Sequence, residues 1–137
     1  MITEKRTWEV AIALPIQTYD VDFAGIVSNI VYIRWLEDLR LKILESYFPL
    51  DELMTDGYCP TVASTQIEYK QALRLFDRPT GKMWISKLGR LRVTLQAEIM
   101  LEEQIAATAT QVGFLIDPKT MRPLGIPQKL KHAYTAC

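Results

Sequence analysis

The chain is poor in the side chains that most catalytic devices need: of 137 residues one is histidine and two are cysteine. His132 sits in a basic segment near the C-terminus, Lys129-Leu130-Lys131-His132, where a solvated surface imidazole is the plain reading. A Ser-His-Asp or Cys-His device has little support from one histidine so placed, and no GxSxG, HExxH, P-loop or GxGxxG pattern occurs. Metal, nucleoside triphosphate and dinucleotide chemistry lose support together. Cys59 and Cys137 form no CxxC pair and have no histidine beside them, which reads as two reduced thiols of a cytoplasmic protein.

Charge of one sign is also missing, with 16 Lys+Arg against 16 Asp+Glu. Nucleic acid and anionic membrane surfaces are usually met by a basic excess, so a small molecule or another protein is the expected partner. No apolar run approaches the ~18–20 residues of a membrane span. Lys5 and Arg6 precede a short apolar stretch, but Glu9 interrupts it, which argues against a signal peptide. No repeat, low-complexity tract or linker divides the chain, and one domain over 1–137 is expected.

What is present is periodicity. Trp8, Val10, Ile12, Leu14 and Ile16 alternate with Glu9, Ala11 and Ala13, as in a half-buried strand. From Asn29 to Tyr47 the period becomes helical: Tyr32, Trp35, Leu36, Leu39, Ile43 and Tyr47 recur at steps of three and four. With Ile33 and Leu44 they fill about half the circumference. Most of this helix is therefore expected to be buried, leaving Arg34, Asp38, Lys42 and Glu45 as a solvated stripe with pairs four apart. Pro49, Gly57 and Pro60 punctuate its exit, with a short helical turn over Leu50 to Met54.

The remainder reads as strands. Thr65, Ile67 and Tyr69 alternate with polar residues; Met83 to Leu91 is a weaker strand after the turn at Asp77 to Gly81. Val93, Leu95, Ala97, Ile99 and Leu101 give the cleanest period of two, and Ile105 to Ile116 forms a last strand rich in small residues. One long helix after a first strand and before four more does not alternate β with α, so an antiparallel α+β layout follows. Strands of roughly ten residues, longer than the usual five or six, suit a curved sheet around that helix. A single helix cannot cover such a sheet, and self-association is expected to bury what it leaves exposed.

The densest polar constellation lies at the entry to the helix: Tyr19-Asp20-Val21-Asp22-Phe23-Ala24-Gly25-Ile26-Val27-Ser28-Asn29. Asp, Ser and Asn all serve in turns and helix caps, and Ser28 or Asn29 is a ready N-cap. Asp22 lies upstream of that boundary with a glycine between, so a second role is open to it. Helix N-terminal amides and their partial positive charge suit a carbonyl oxygen that gains negative charge in acyl transfer. A carboxylate beside that carbonyl activates water or attacks directly, without histidine. A lone carboxylate is a modest catalyst, so a thioester fits better than an amide.

The run Asp20-Val21-Asp22-Phe23-Ala24-Gly25-Ile26-Val27, followed by Tyr32-Ile33-Arg34-Trp35-Leu36-Glu37, resembles the signature of hotdog-fold acyl-CoA thioesterases of the 4-hydroxybenzoyl-CoA thioesterase family. Ile67-Glu68-Tyr69-Lys70 with Asp77, then 106–117 and Arg122-Pro123-Leu124-Gly125-Ile126-Pro127, are similar to later parts of that family, so the likeness runs along nearly the whole chain. The first motif is specific and the later ones are weak alone. The resemblance implies a hotdog fold, a long central helix wrapped by a curved antiparallel five-stranded sheet, and hydrolysis of an acyl-CoA thioester without a cofactor or metal.

It further implies Asp22 as nucleophile or general base and the Asn29 backbone amide as the group that polarises the thioester oxygen. Gly25, Val27 and Tyr32 are then placed at the substrate, Glu37 at the acyl pocket, and Arg90 and Arg92 at the CoA nucleotide. Plainer roles stand beside these: an exposed strand pair for the two arginines, and pairing with Arg34 or Arg40 for Glu37. The family implies a homodimer or homotetramer with the active site at a subunit interface. Phe23, where a smaller residue or proline is common, and Ser28-Asn29-Ile30-Val31, where aromatic or histidine-containing stretches are usual, depart from the pattern and bear on the substrate. Rival readings are an acyl-carrier-protein thioesterase, a hotdog dehydratase, disfavoured because those compared use a histidine, and a non-catalytic acyl-CoA-binding module with Asp22 as a capping residue only.

Overall fold

The computed structural model describes residues 6–136, so Lys5 and Cys137 lie outside the described residues. The elements in chain order are β1 (Thr7–Ala13), α1 (Asn29–Tyr47), α2 (Leu50–Thr55), β2 (Cys59–Tyr69), β3 (Thr80–Leu88), β4 (Arg92–Leu101), β5 (Gln104–Ile116), β6 (Pro123–Leu124) and α3 (Gln128–Ala136). Five long or medium strands form one antiparallel sheet in the order β1-β3-β4-β5-β2, and the two-residue β6 adds to β5. This is the hotdog α+β architecture, with a sixth short strand beyond the five expected.

The inner face of the sheet is set by alternation. Gly81, Met83 and Ile85 of β3, Leu95, Ala97 and Ile99 of β4, and Ala107, Ala109, Gln111 and Leu115 of β5 are buried and meet Leu36, Leu39 and Ile43 of α1 in one core. Gly81 permits the closest approach: a Cβ there would lie 2.8 Å from the Leu14 Cδ1 and 3.1 Å from the Leu39 Cδ1. Trp8 sits at a bulge in β1 with φ +58°, and its ring stacks on Tyr47 at 5.5 Å and meets Tyr134 of α3 edge-on at 5.6 Å. The C-terminal segment read from the sequence as a basic tail is thereby a helix docked on the core through Leu130 and the Tyr134 hydroxyl, which donates to the Ile85 carbonyl at 3.3 Å.

The helix is less buried than its pattern implies. It packs chiefly on β1 and β3, and leaves Ile30, Ile33, Leu41 and Tyr47 exposed. The inner face of β5 is buried in the core, whereas most of β2 is exposed although it runs for 11 residues. As the last strand on its side, β2 carries main-chain donors and acceptors that meet no further strand. β3 spans Thr80–Leu88, starting three residues before the expected Met83 and ending before Leu91, because Gly81 passes under Leu14 with its neighbours already paired to β1.

Candidate active site

The segment between β1 and α1 folds on itself. Asp20 leads, and its carbonyl accepts from the Ser28 amide at 2.9 Å; Val21 bridges Val27; the Asp22 amide donates to the Ile26 carbonyl at 2.9 Å. Gly25 closes the turn, its amide donating to the Asp22 carbonyl at 2.9 Å with φ +80°. That left-handed geometry favours glycine on conformational grounds, because a Cβ at Gly25 would meet nothing within 4 Å. The Val27 amide then donates to the Leu73 carbonyl at 2.8 Å and Ile26 bridges Arg74, which fixes the small hairpin against the chain leaving β2.

Asp22 is exposed at the tip of this hairpin. Its Oδ1 accepts from the Ala24 amide at 2.9 Å and, at the long distance of 3.4 Å, from the Ile26 amide. The carboxylate thus stabilises its own turn and does not cap α1. Ser28 occupies the N-cap position of α1 without a side-chain cap, and the Asn29 amide has no protein acceptor among the described residues. First-turn amides left open in this way carry the helix's partial positive charge. Asp22 and Asn29 stand on the two arms of one hairpin, held together by the Val21–Val27 bridge and the Ser28 amide on the Asp20 carbonyl.

Asp20 gives the hairpin its anchor. Only 4% exposed, it accepts from the Gln17 amide at 2.8 Å through Oδ2 and meets the Arg34 guanidinium at 3.5 Å through Oδ1. Arg34 is therefore bound to the loop, where the sequence pattern had it in a solvated stripe paired with Asp38. Sequence reasoning missed this contact because the partners are 14 residues apart and on different elements.

The other expected site residues divide into near and far. Tyr32, one turn into α1, is buried against Trp35 at 5.2 Å and Tyr69 at 5.0 Å, both edge-on. Burial, with a further contribution from Tyr69, pushes the Tyr32 phenol up to about 12, and burial raises Tyr69 as well. Tyr69, at the end of β2, was not among the expected site residues; its alternation marked it as a strand residue only. The Val27 side chain belongs to the core, so what Val27 presents to the loop is its backbone. Glu37 is exposed, in a cleft with Asp20, Arg34 and Asp38, two turns along α1 from Asn29.

Arg90 and Arg92 are exposed at the turn between β3 and β4. Asp22 follows β1, whose last residue Ala13 pairs with Thr80, the opposite end of β3, so within one chain the sheet's length separates these arginines from the carboxylate. His132 is exposed on α3, and Cys59 is a half-buried free thiol at the start of β2.

Comparison with known proteins agrees with this architecture. The family model of the thioesterase-like superfamily matches residues 16–134. A Synechocystis protein provisionally assigned as an esterase, sll0410, is 29% identical over 129 residues, covering 90% of this chain and 76% of that one. The solved structure of a DHNA-CoA thioesterase from Staphylococcus aureus superposes with a TM-score of 0.84 at 20% identity, over 93% of this chain and 89% of the other. Slr0204, a 1,4-dihydroxy-2-naphthoyl-CoA thioesterase from Synechocystis, gives 0.81 at 18% identity over 93% and 96%. With its hotdog fold and the family model spanning the loop, the helix and every strand but β1, the chain belongs to the thioesterase-like superfamily and to its class of thioester hydrolases.

Proposed function

We propose that this protein hydrolyses an acyl-CoA thioester to CoA and a carboxylic acid at the hairpin between β1 and α1. The observation that carries the reading is the pairing of the exposed Asp22 carboxylate with an open α1 N-terminus. Oδ1 is held by the loop, which orients the group and leaves Oδ2 to act as nucleophile or general base. The Asn29 amide stabilises the oxyanion as the carbonyl becomes tetrahedral. The thiolate of CoA is a good leaving group, so no general acid is needed to expel it. Gly25 sets the turn, and the Tyr32–Tyr69 pair gives the acyl group an aromatic wall with phenols that stay protonated at neutral pH.

The catalytic unit in this reading is a homodimer, alone or doubled into a tetramer. Two copies joined antiparallel along β2 satisfy its open edge and bring the exposed faces of the two α1 helices toward each other. Thr61, Phe114 and Arg92 lie in one row across the sheet, while Tyr69, Ala107 and Ile99 lie in another near its far end. Antiparallel pairing sets the first row of one copy beside the second row of the other. Arg90 and Arg92 of one protomer then approach the acid loop of its partner, where they meet the CoA phosphates. Glu37, on the face of α1 left exposed by one chain, comes to line the acyl site between the two helices.

The test is release of free thiol from a panel of short, long and aromatic acyl-CoAs, with Asp22→Asn as the variant. Loss of a positioned base predicts a rate lower by roughly 10²–10⁴-fold with the folded oligomer retained. Equal rates for the two proteins refute Asp22 as the catalytic acid. Turnover of carrier-protein thioesters with none of acyl-CoA transfers the reaction to the other thioester class.

A further inference from the structure

One face of α1 remains open along the length of the helix. At about 100° per residue, Ile30, Ile33, Glu37, Arg40, Leu44 and Tyr47 fall within a sector of roughly 100°. Ile30 is 65% exposed, Ile33 45% and Tyr47 40%; Glu37 is exposed, and Arg40 and Leu44 are half-buried. The two charges at the centre of this apolar stripe are unmatched within the chain. Among the described residues neither Glu37 nor Arg40 forms an ion pair, and Glu37 acts on Arg40 only across a distance. The Arg40 Nη1 donates instead to the Gln111 Oε1 at 2.7 Å, and Gln111, 2% exposed, donates onward to the Thr65 Oγ1 at 3.0 Å.

A half-buried guanidinium that meets only a neutral amide is an incomplete arrangement, because removing a cation from water costs free energy that a counter-ion recovers. The stripe itself carries that counter-ion in the right place. Its six positions are symmetric about a point between Asp38 and Leu39, at the middle of α1. A two-fold axis through that point faces Ile30 with the partner's Tyr47, Ile33 with the partner's Leu44 and Glu37 with the partner's Arg40, each pair at one level along the helices. We propose that two copies of this chain pack antiparallel along the stripe and that Glu37 of each makes an ion pair with Arg40 of the other.

The sheet supplies the same axis independently. An antiparallel joining of β2 edges that sets Thr61 beside the partner's Tyr69 is centred on Thr65. Thr65 is the residue that the hydrogen-bond chain from Arg40 through Gln111 reaches, so Arg40 points toward the edge strand and the middle of α1 stands level with the middle of β2. One rotation therefore serves both elements. Reciprocal ion pairs between apolar contacts fix register and orientation as well as affinity. The inference rests on the dimer of the reading above and not on its chemistry. Between the helices, the wall that Glu37 gives the acyl site is then a paired carboxylate and not a free base.

Sedimentation of charge-reversed variants tests the proposal, with circular dichroism to check folding. The wild type is expected as a dimer or its double. Glu37→Arg sets a new arginine against the partner's Arg40, and Arg40→Glu sets a new glutamate against the partner's Glu37; each should weaken self-association at least roughly tenfold. An equimolar mixture of the two variants restores attraction at both pairs and should give a one-to-one heterodimer. Both changes in one chain should recover the homodimer, and Asp38→Arg, a reversal off the stripe, should leave association unchanged. Should Arg40→Glu not fold, Glu37→Gln, Arg40→Gln and their combination decide, with the combination expected to lose no more than one of them alone. A Glu37→Arg protein that self-associates like the wild type, a mixture that associates no better than its components, an equal effect of Asp38→Arg, or additive losses in the neutral series overturns the pair and leaves the β2 dimer standing. A monomeric wild type overturns both.

Discussion

Removing the Asp20 carboxylate should cost more stability than removing the arginine it meets. In Asp20→Ala the Gln17 amide loses its acceptor and a buried, charge-assisted bond goes with it. Such losses are worth roughly 2–3 kcal/mol. In Arg34→Gln only the ion pair is lost, and the Arg34 side chain is 54% exposed with a long contact of 3.5 Å. Screened pairs of that kind contribute about 0–1 kcal/mol. At ~2.1 cal/mol/K of unfolding entropy per residue, 137 residues give about 3.5 °C per kcal/mol, so Asp20→Ala should lower Tm by roughly 7–10 °C and Arg34→Gln by at most about 3.5 °C. Asp20→Asn keeps an acceptor for the amide and should fall between. Thermal unfolding followed by circular dichroism reads all three. Because the Asp20 carbonyl also holds the Ser28 amide, residual loop disorder should lower kcat for thioester hydrolysis with little change in KM. If Arg34→Gln matches Asp20→Ala in Tm, the ion pair and not the buried cap anchors the loop, and the reasoning fails.

Other substitutions separate packing, edge and charge effects. Gly113→Ala places a Cβ 2.8 Å from the Thr61 carbonyl oxygen, a backbone atom of β2, whereas the same change at Gly81 meets leucine methyls that can turn. Gly113→Ala should therefore lose roughly 1–3 kcal/mol in chemical denaturation and Gly81→Ala less; the reverse order would contradict the account. Lysines at the exposed edge positions in Ser64→Lys/Gln66→Lys should shift sedimentation toward monomer and lower turnover together. A dimer that survives unchanged places the interface elsewhere. For Tyr32, whose folded phenol is raised to about 12 from 10.0, the folded form holds its proton longer than the unfolded chain. Its contribution is fully present below pH ~10 and is lost as pH rises toward ~12. Denaturation midpoints across that window should fall in the wild type and fall less in Tyr32→Phe; equal slopes would remove the phenol from the account.

Local pattern carried much of the architecture. The helical period returned α1 at Asn29–Tyr47, the alternation through 93–101 returned β4, and the punctuation after Pro49 returned α2, because each rests on side chains a few residues apart on one element. The acid loop was legible for the same reason: Asp22, Gly25 and the helix start lie within eight residues of sequence. Tertiary structure decided the rest. It placed α1 over β1 and β3, so that Ile33 and Tyr47, apolar in the helical pattern, remain exposed; it joined Arg34 to Asp20, and turned the last residues into a helix on Trp8. It also put Arg90 and Arg92 at the other end of the sheet from Asp22 and left β2 as an open edge. Periodicity reports which face of one element avoids water, whereas the position of one element upon another depends on contacts between residues far apart in the chain, which no local repeat encodes.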